Sequence, residues 1–134
     1  MALTAFPLID IEGDAPQRGL QYGRAAGDRI ALSIKTYRAA YEKVGLDWSR
    51  TKALARRFVP QIEAFDPESM REIEGIAAGA EVEPEEIVAL NARSELLYAH
   101  EQLAATEPPD GSSGVVVMPA ASRGGRLIHA QNWD

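Results

Sequence analysis

Along most of the chain apolar residues recur at spacings of three and four, the period of one helix face, and only after residue 110 does the pattern become that of strands. One short exception comes early. Residues 6–12, FPLIDIE, alternate well enough for a single strand, which Gly13 ends. Asp14 then offers an N-cap, Pro16 falls in the first turn and Gln17 stands three residues on, the spacing of a capping box. Ile30, Ile34, Tyr37, Tyr41 and Val44 form one stripe of the long helix that follows, and Gly45 stops it. Near its start Gly19, Gly23 and Gly27 recur every fourth residue. A phosphate-binding loop is one reading of these glycines. The favoured one is a face on which another backbone packs closely, and the charges of Arg18, Arg24, Asp28 and Arg29 exclude a membrane dimer.

A second helix is expected over residues 49–65, bent or interrupted near Pro60, which lacks an N–H and clashes with the preceding turn. Asp66 and Pro67 restart it as N-cap and first helical residue. Met70, Ile73, Ile76, Ala77 and Ala80 mark its buried stripe, which ends at Gly79 or shortly after. Glu83 and Pro84 repeat the start signal. Ile87, Leu90, Asn91, Ser94, Leu97 and Tyr98 then share one face, so Asn91 and Ser94 are expected among the apolar residues and in need of partners. Arg93 and Glu95 flank that face; the plain reading is a helix surface with an ion pair worth a few tenths of a kcal/mol. Residues 104–110, AATEPPD, read as a linker in which Pro108 and Pro109 forbid helix.

After the linker, Ser112 and Ser113 stand between Gly111 and Gly114, and Val115, Val116, Val117 and Met118 follow as an apolar run suited to a strand buried on both faces. Residues 122–125, SRGG, supply a turn, and residues 126–133 return as a second strand, making a hairpin. Such a hairpin needs further strands and a covering layer. The 134 residues therefore read as the N-terminal part of a longer protein, α+β in class, with a helical region over 1–111 and the first hairpin of a sheet over 112–134.

Composition narrows the function. The 14 Lys and Arg against 20 Asp and Glu leave a formal charge of −6 with no basic run, which argues against nucleic acid and anionic membrane as partners. Without cysteine there is no thiolate nucleophile and no cysteine-based metal site. His100 and His129 are too far apart in sequence to make a metal site by themselves, so no metal or cofactor is expected. Neither a secretory signal nor an 18-residue apolar run is present, and the expected location is cytoplasmic.

The candidate chemistry lies at the joint between helix and strand. GSSG does not match the lipase elbow, since neither serine has glycine two residues away on both sides. A flexible connector would look the same, although connectors do not usually run from a rigid Pro-Pro-Asp straight into a buried strand. Were the bond before Ser112 cut, the freed α-amine, with a pKa of about 8, would serve as base to its own hydroxyl. Gly111, lacking a Cβ, permits the turned peptide geometry that attack on its carbonyl requires. Asn132 and Asp134, in QNWD, close the second strand and return to the neighbourhood of Ser112 by hairpin pairing.

Taken together, GLQYG at 19–23, EIEGIAAGAEV at 72–82, EEIVALNARSELLY at 85–98, the DG of Asp110 and Gly111, and AQNWD at 130–134 resemble the acyl-coenzyme A:6-aminopenicillanic acid acyltransferases, or isopenicillin-N acyltransferases, among the N-terminal nucleophile hydrolases. The resemblance implies a precursor that cuts itself between Gly111 and Ser112, leaving a helical α subunit and a β subunit built on an αββα sandwich. Ser112 then becomes the β-subunit N-terminus and nucleophile, and Asp134 matches the aspartate of the NWD motif near it. Asp110, Arg93, Glu95 and Asn132 stand as candidates for substrate binding or structural support. The implied partners are a small-molecule acyl donor, acyl-coenzyme A among them as substrate, an amine acceptor, and the remainder of the β subunit.

Two departures qualify the resemblance. The family's nucleophile is usually cysteine in a DGCT-like context, whereas this chain has DGSS. Other branches of the superfamily use serine or threonine, and a replacement of cysteine by serine that blocks processing would read identically. The family's oxyanion-stabilising asparagine and most of its substrate pocket would also lie beyond Asp134, so the 134 residues by themselves are not expected to be a complete catalyst. The alternatives are a hydrolase of small N-acyl amines such as β-alanyl amides, and a non-catalytic helical interaction domain in which GSSG is a connector.

Overall fold

A computed structural model of the chain describes residues 7–101 and 113–132. It is mostly helical, with one small antiparallel sheet, and it divides into two compact units, Met1–Leu103 and Ala104–Asp134.

The helical unit is organised by α1 (Ala15–Lys43) and α4 (Pro67–Ala80), which share its most extensive contact. The capping box forms as expected: Asp14 accepts from the Gln17 backbone N–H, and Gln17 accepts from that of Asp14. Gly45, at φ 80°, follows the last turn. Gly19 and Gly23 of α1 lie against Gly75 and Gly79 of α4 so closely that a Cβ on either α1 glycine would collide with the backbone of the opposite helix. The pairs advance together, 19 with 75 and 23 with 79, so the two helices run parallel. Close packing is thus what the glycines do, with one correction: Gly27, whose Cβ would meet nothing within 4 Å, takes no part. Arg18 and Glu72 add an ion pair across the same contact at 2.7 Å.

Residues 7–12 form no strand, contrary to their alternation. Gln21 replaces a neighbouring strand there: its amide oxygen accepts from the Glu12 N–H at 3.2 Å and its amide nitrogen donates to the Glu12 carbonyl at 2.8 Å. Phe6 lies outside the described residues.

The expected second helix is two. α2 (Trp48–Ala55) begins at Asp47, not Ser49, because the Asp47 carboxylate accepts from the Arg50 N–H at 2.9 Å and Trp48 is already buried at the first helical position. The interruption is a 3-10 turn over Arg56–Phe58, upstream of Pro60. Proline falls instead in the first turn of α3 (Val59–Phe65), where its missing N–H costs no helical bond. Asp66 caps α4, with the Ser69 hydroxyl and then the Glu68 N–H holding its carboxyl below the usual range.

Beyond α4, the chain turns at Glu81 (φ 57°) into α5 (Pro84–Asn91) and α6 (Arg93–Glu101), which break at Ala92 instead of continuing as one helix. Their buried residues are Ile87, Val88, Ala89, Ala92 and Leu96, so Asn91 is exposed rather than on the core face. Its amide donates to the Ile87 carbonyl one turn back, at 3.0 Å, the local bond by which asparagine satisfies itself on a helix. Tyr41, Leu46, Trp48, Val88 and Leu96 belong to the larger core cluster; Ala26, Ile30, Ala77 and Ile87 form a second. No helix among the described residues is long and apolar enough to cross a membrane.

The second unit contains β1 (Gly114–Val117) and β2 (Ile128–Gln131), antiparallel, with Gly114 opposite Gln131 and Val117 opposite Ile128. Residues 118–127 connect them through a 3-10 turn and a tight turn in which the Gly125 N–H donates to Ser122; Gly124 and Gly125 adopt φ of 96° and 63°, which only glycine takes without strain. The expectation of a strand buried on both faces is not met. Val115 and Val116 are 56% and 55% exposed, because two strands alone provide no layer to cover either face.

Candidate functional site

The hairpin's open end is where the sequence places its chemistry. Pairing continues one step past the strands: the Asn132 N–H donates to the Ser113 carbonyl at 2.8 Å. A shallow cleft of about 190 Å³ opens there, lined by Ser113, Gly114, Val115, Ala130, Gln131 and Asn132. The return strand therefore brings the QN of QNWD against the second serine of GSS, by register alone. Asp110, Gly111, Ser112 and Asp134 lie outside the described residues. His129, opposite Val116, is exposed.

Arg93 and Glu95 belong to the helical unit. Arg93 is half-buried at the α5–α6 break, where its Nη1 donates to the Leu90 carbonyl at 3.2 Å and its guanidinium carbon lies 6.0 Å from the centre of the Tyr37 ring. Glu95 is exposed one residue beyond Ser94. Under the break sits Tyr41, fully buried, 6.1 Å ring to ring from Trp48 and 6.5 Å from Tyr37. Its hydroxyl donates, at the long limit of 3.4 and 3.5 Å, to the carbonyls of Ala89 and Arg93. Among the described residues no three His, Asp or Glu side chains gather within reach of one metal ion.

Burial, and after it the neighbouring Tyr37, pushes the Tyr41 pKa from 10.0 to about 12, with Arg93 pulling the other way. The folded protein thus keeps a proton that the unfolded chain gives up near pH 10. In that window the unfolded state binds fewer protons, so stability that is fully present below pH 10.0 is lost as pH rises towards about 12. Urea denaturation from neutrality up to about pH 12 should show a steeper alkaline loss for the natural protein than for Tyr41→Phe. Equal slopes would remove Tyr41 from the account.

A second concavity was not expected from the sequence. Where α1, α4 and α5 meet, a groove of about 280 Å³ is lined by Ile30, Ile76, Ile87 and Leu90 together with Tyr22, Arg29, Ser33 and Asn91. Each isoleucine was legible as part of a helix stripe, but that three stripes converge beside Arg29 and Ser33 depends on the parallel α1–α4 contact. Compared with known proteins, the chain matches no family model and has no significant match among curated proteins.

Proposed function

We propose that this chain carries the nucleophile region of a self-processing acyltransferase or amide hydrolase of the N-terminal nucleophile type. The observation that carries the reading is the hairpin that starts directly after GSS and returns Asn132 to Ser113 at 2.8 Å. It supports a nucleophile at a strand start with the polar QNWD end beside it; the DG and NWD motifs of the acyltransferase resemblance point the same way.

In this reading the Ser112 Oγ attacks the Gly111 carbonyl carbon. The C–N bond breaks, the hydroxyl proton passes to the departing nitrogen, and an ester joins Gly111 to Ser112 with the α-amine free. Water hydrolyses the ester. The same hydroxyl then attacks the carbonyl of an amide or thioester while its own α-amine takes the proton; the donor's C–N or C–S bond breaks, the amine or thiol leaves with that proton, and the acyl ester is cleaved by an amine or water, which returns the proton to the serine oxygen. Donors aimed at the oxyanion would contribute about 3 to 4 kcal/mol to that step. Asp134 is the candidate catalytic partner, and Asp110, Asn132, Arg93 and Glu95 support substrate or structure. The exposed faces of Val115 and Val116 are what an αββα sandwich would cover, and a cytoplasmic location fits the composition.

One observation favours a non-catalytic alternative: the helical unit closes two apolar clusters of its own, as an interaction domain would. Intact-mass measurement of the protein expressed at full length separates the two. Acyl-transfer chemistry predicts two pieces that meet between Gly111 and Ser112, whereas a single uncut mass would favour the helical domain.

A further inference from the structure

The groove where α1, α4 and α5 meet sorts its lining by character. Ile30 and Ile87 are buried and Ile76 and Leu90 half-buried, and these four make an apolar floor. On α1 the lining runs from Tyr22 to Ser33, a distance of about 16 Å at helical rise, so an occupant lying along it is linear rather than compact. No carboxylate lines the groove, and its one charged side chain, Arg29, is already engaged in an interaction of its own. The groups left to meet a ligand's polar end are neutral. Among the described residues nothing bonds to the half-buried Ser33 hydroxyl. Asn91, whose amide nitrogen donates to the Ile87 carbonyl, keeps its amide oxygen open as an acceptor.

From this lining we infer that the groove binds a small uncharged molecule with a linear apolar tail and a terminal hydroxyl, the chemistry of a straight-chain aliphatic alcohol. The tail lies on the floor of isoleucines and leucine. A hydroxyl both donates and accepts, so it can donate to the Asn91 amide oxygen or accept from Ser33. It also brings no charge onto an apolar floor, where an unpaired one would be costly. At about 280 Å³ the space falls just short of the pockets that hold drug-sized ligands, so the occupant is small. The site stands apart from the acyl-transfer reading, uses none of its residues and asks nothing of Arg29.

Titration of the whole chain with 1-hexanol, followed by amide chemical shifts, tests it. Saturable shifts are expected on the amides of Ile30, Ser33, Ile76, Ile87 and Leu90, with affinity falling by up to about fourfold per methylene removed down to 1-butanol. Hexanoate and hexylamine, both charged at neutral pH, should each bind at least about tenfold more weakly than 1-hexanol. Ser33→Ala combined with Asn91→Ala removes both hydrogen-bonding groups and should weaken 1-hexanol by about tenfold. Ser33→Phe, which fills the groove, should abolish binding. Hexanoate or hexylamine binding as well as 1-hexanol, affinity that ignores tail length, or an unchanged affinity in the doubly substituted chain would overturn the assignment. So would shifts that never saturate, or that are confined to the exposed valines of the hairpin.

Discussion

Gly75→Val is expected to take apart the helical unit. The added Cβ would stand 2.5 Å from the Pro16 carbonyl oxygen, 3.0 Å from the Leu20 nitrogen and 3.1 Å from the Gly19 Cα, all backbone atoms of α1. A side chain could rotate away from such a collision, but a helix backbone can only move as a whole. α1 and α4 must therefore separate, and the Arg18–Glu72 pair and the Ala26–Ala77 cluster separate with them. Overpacking of a core usually costs about 1–3 kcal/mol; with backbone on both sides the expected cost exceeds about 3 kcal/mol, a large share of the roughly 5–15 kcal/mol that holds a domain together. Gly27→Ala is the control. It lies in the same helix and the same four-residue series, its Cβ would meet nothing within 4 Å, and removing an interior helix glycine should stabilise by about 0.5–1 kcal/mol. Urea midpoints followed by circular dichroism should move in opposite directions for the two variants. If Gly75→Val keeps the natural midpoint, the parallel glycine contact is wrong.

Ser112→Ala should leave the protein, expressed at full length, in one piece. Self-cleavage requires an atom that attacks the Gly111 carbonyl and then carries the acyl group as an ester, and a methyl side chain can do neither. Ser112→Cys is the informative companion, because a thiol is the stronger nucleophile at neutral pH and asks less of its base. It should cut at the same bond and faster than serine, with the extent read from intact masses sampled over time. Cutting that persists in Ser112→Ala would sink the assignment of Ser112. A natural chain that stays whole while Ser112→Cys divides would show a competent site that a hydroxyl cannot drive. If both stay whole, the helical-domain reading gains, and the resemblance in the DG and NWD motifs becomes one of fold without processing.

The tyrosine-centred core and the hairpin show how far local chemistry carries. The Asp14 box, the Asp66–Pro67 restart, the Ile30 to Val44 stripe and the SRGG turn were all legible, because a cap, a restart or a turn is decided by residues three or four apart. The same local reasoning misplaced what depends on distant partners. Residues 7–12 alternate like a strand but bond to Gln21; Pro60 was expected to mark a break that Arg56–Phe58 makes upstream; Asn91 was assigned to an apolar face that the bend at Ala92 turns elsewhere. For the candidate site, strand register was enough to foresee Asn132 returning beside the GSS segment, where it meets Ser113, since antiparallel pairing is a matter of counting.

Alone, then, the sequence determined the starts of α1, α4 and α5, the glycine face of α1 and the hairpin with its turn, since each rests on backbone valence and side-chain period within a few residues. Only tertiary structure decided that Gly19 and Gly23 meet Gly75 and Gly79 while Gly27 meets nothing, that Tyr41 is buried deeply enough to hold its proton to about pH 12, and that three helices leave a groove beside Arg29. Those outcomes turn on the distance between segments far apart in the chain, and no local spacing encodes which of several apolar faces will close on which.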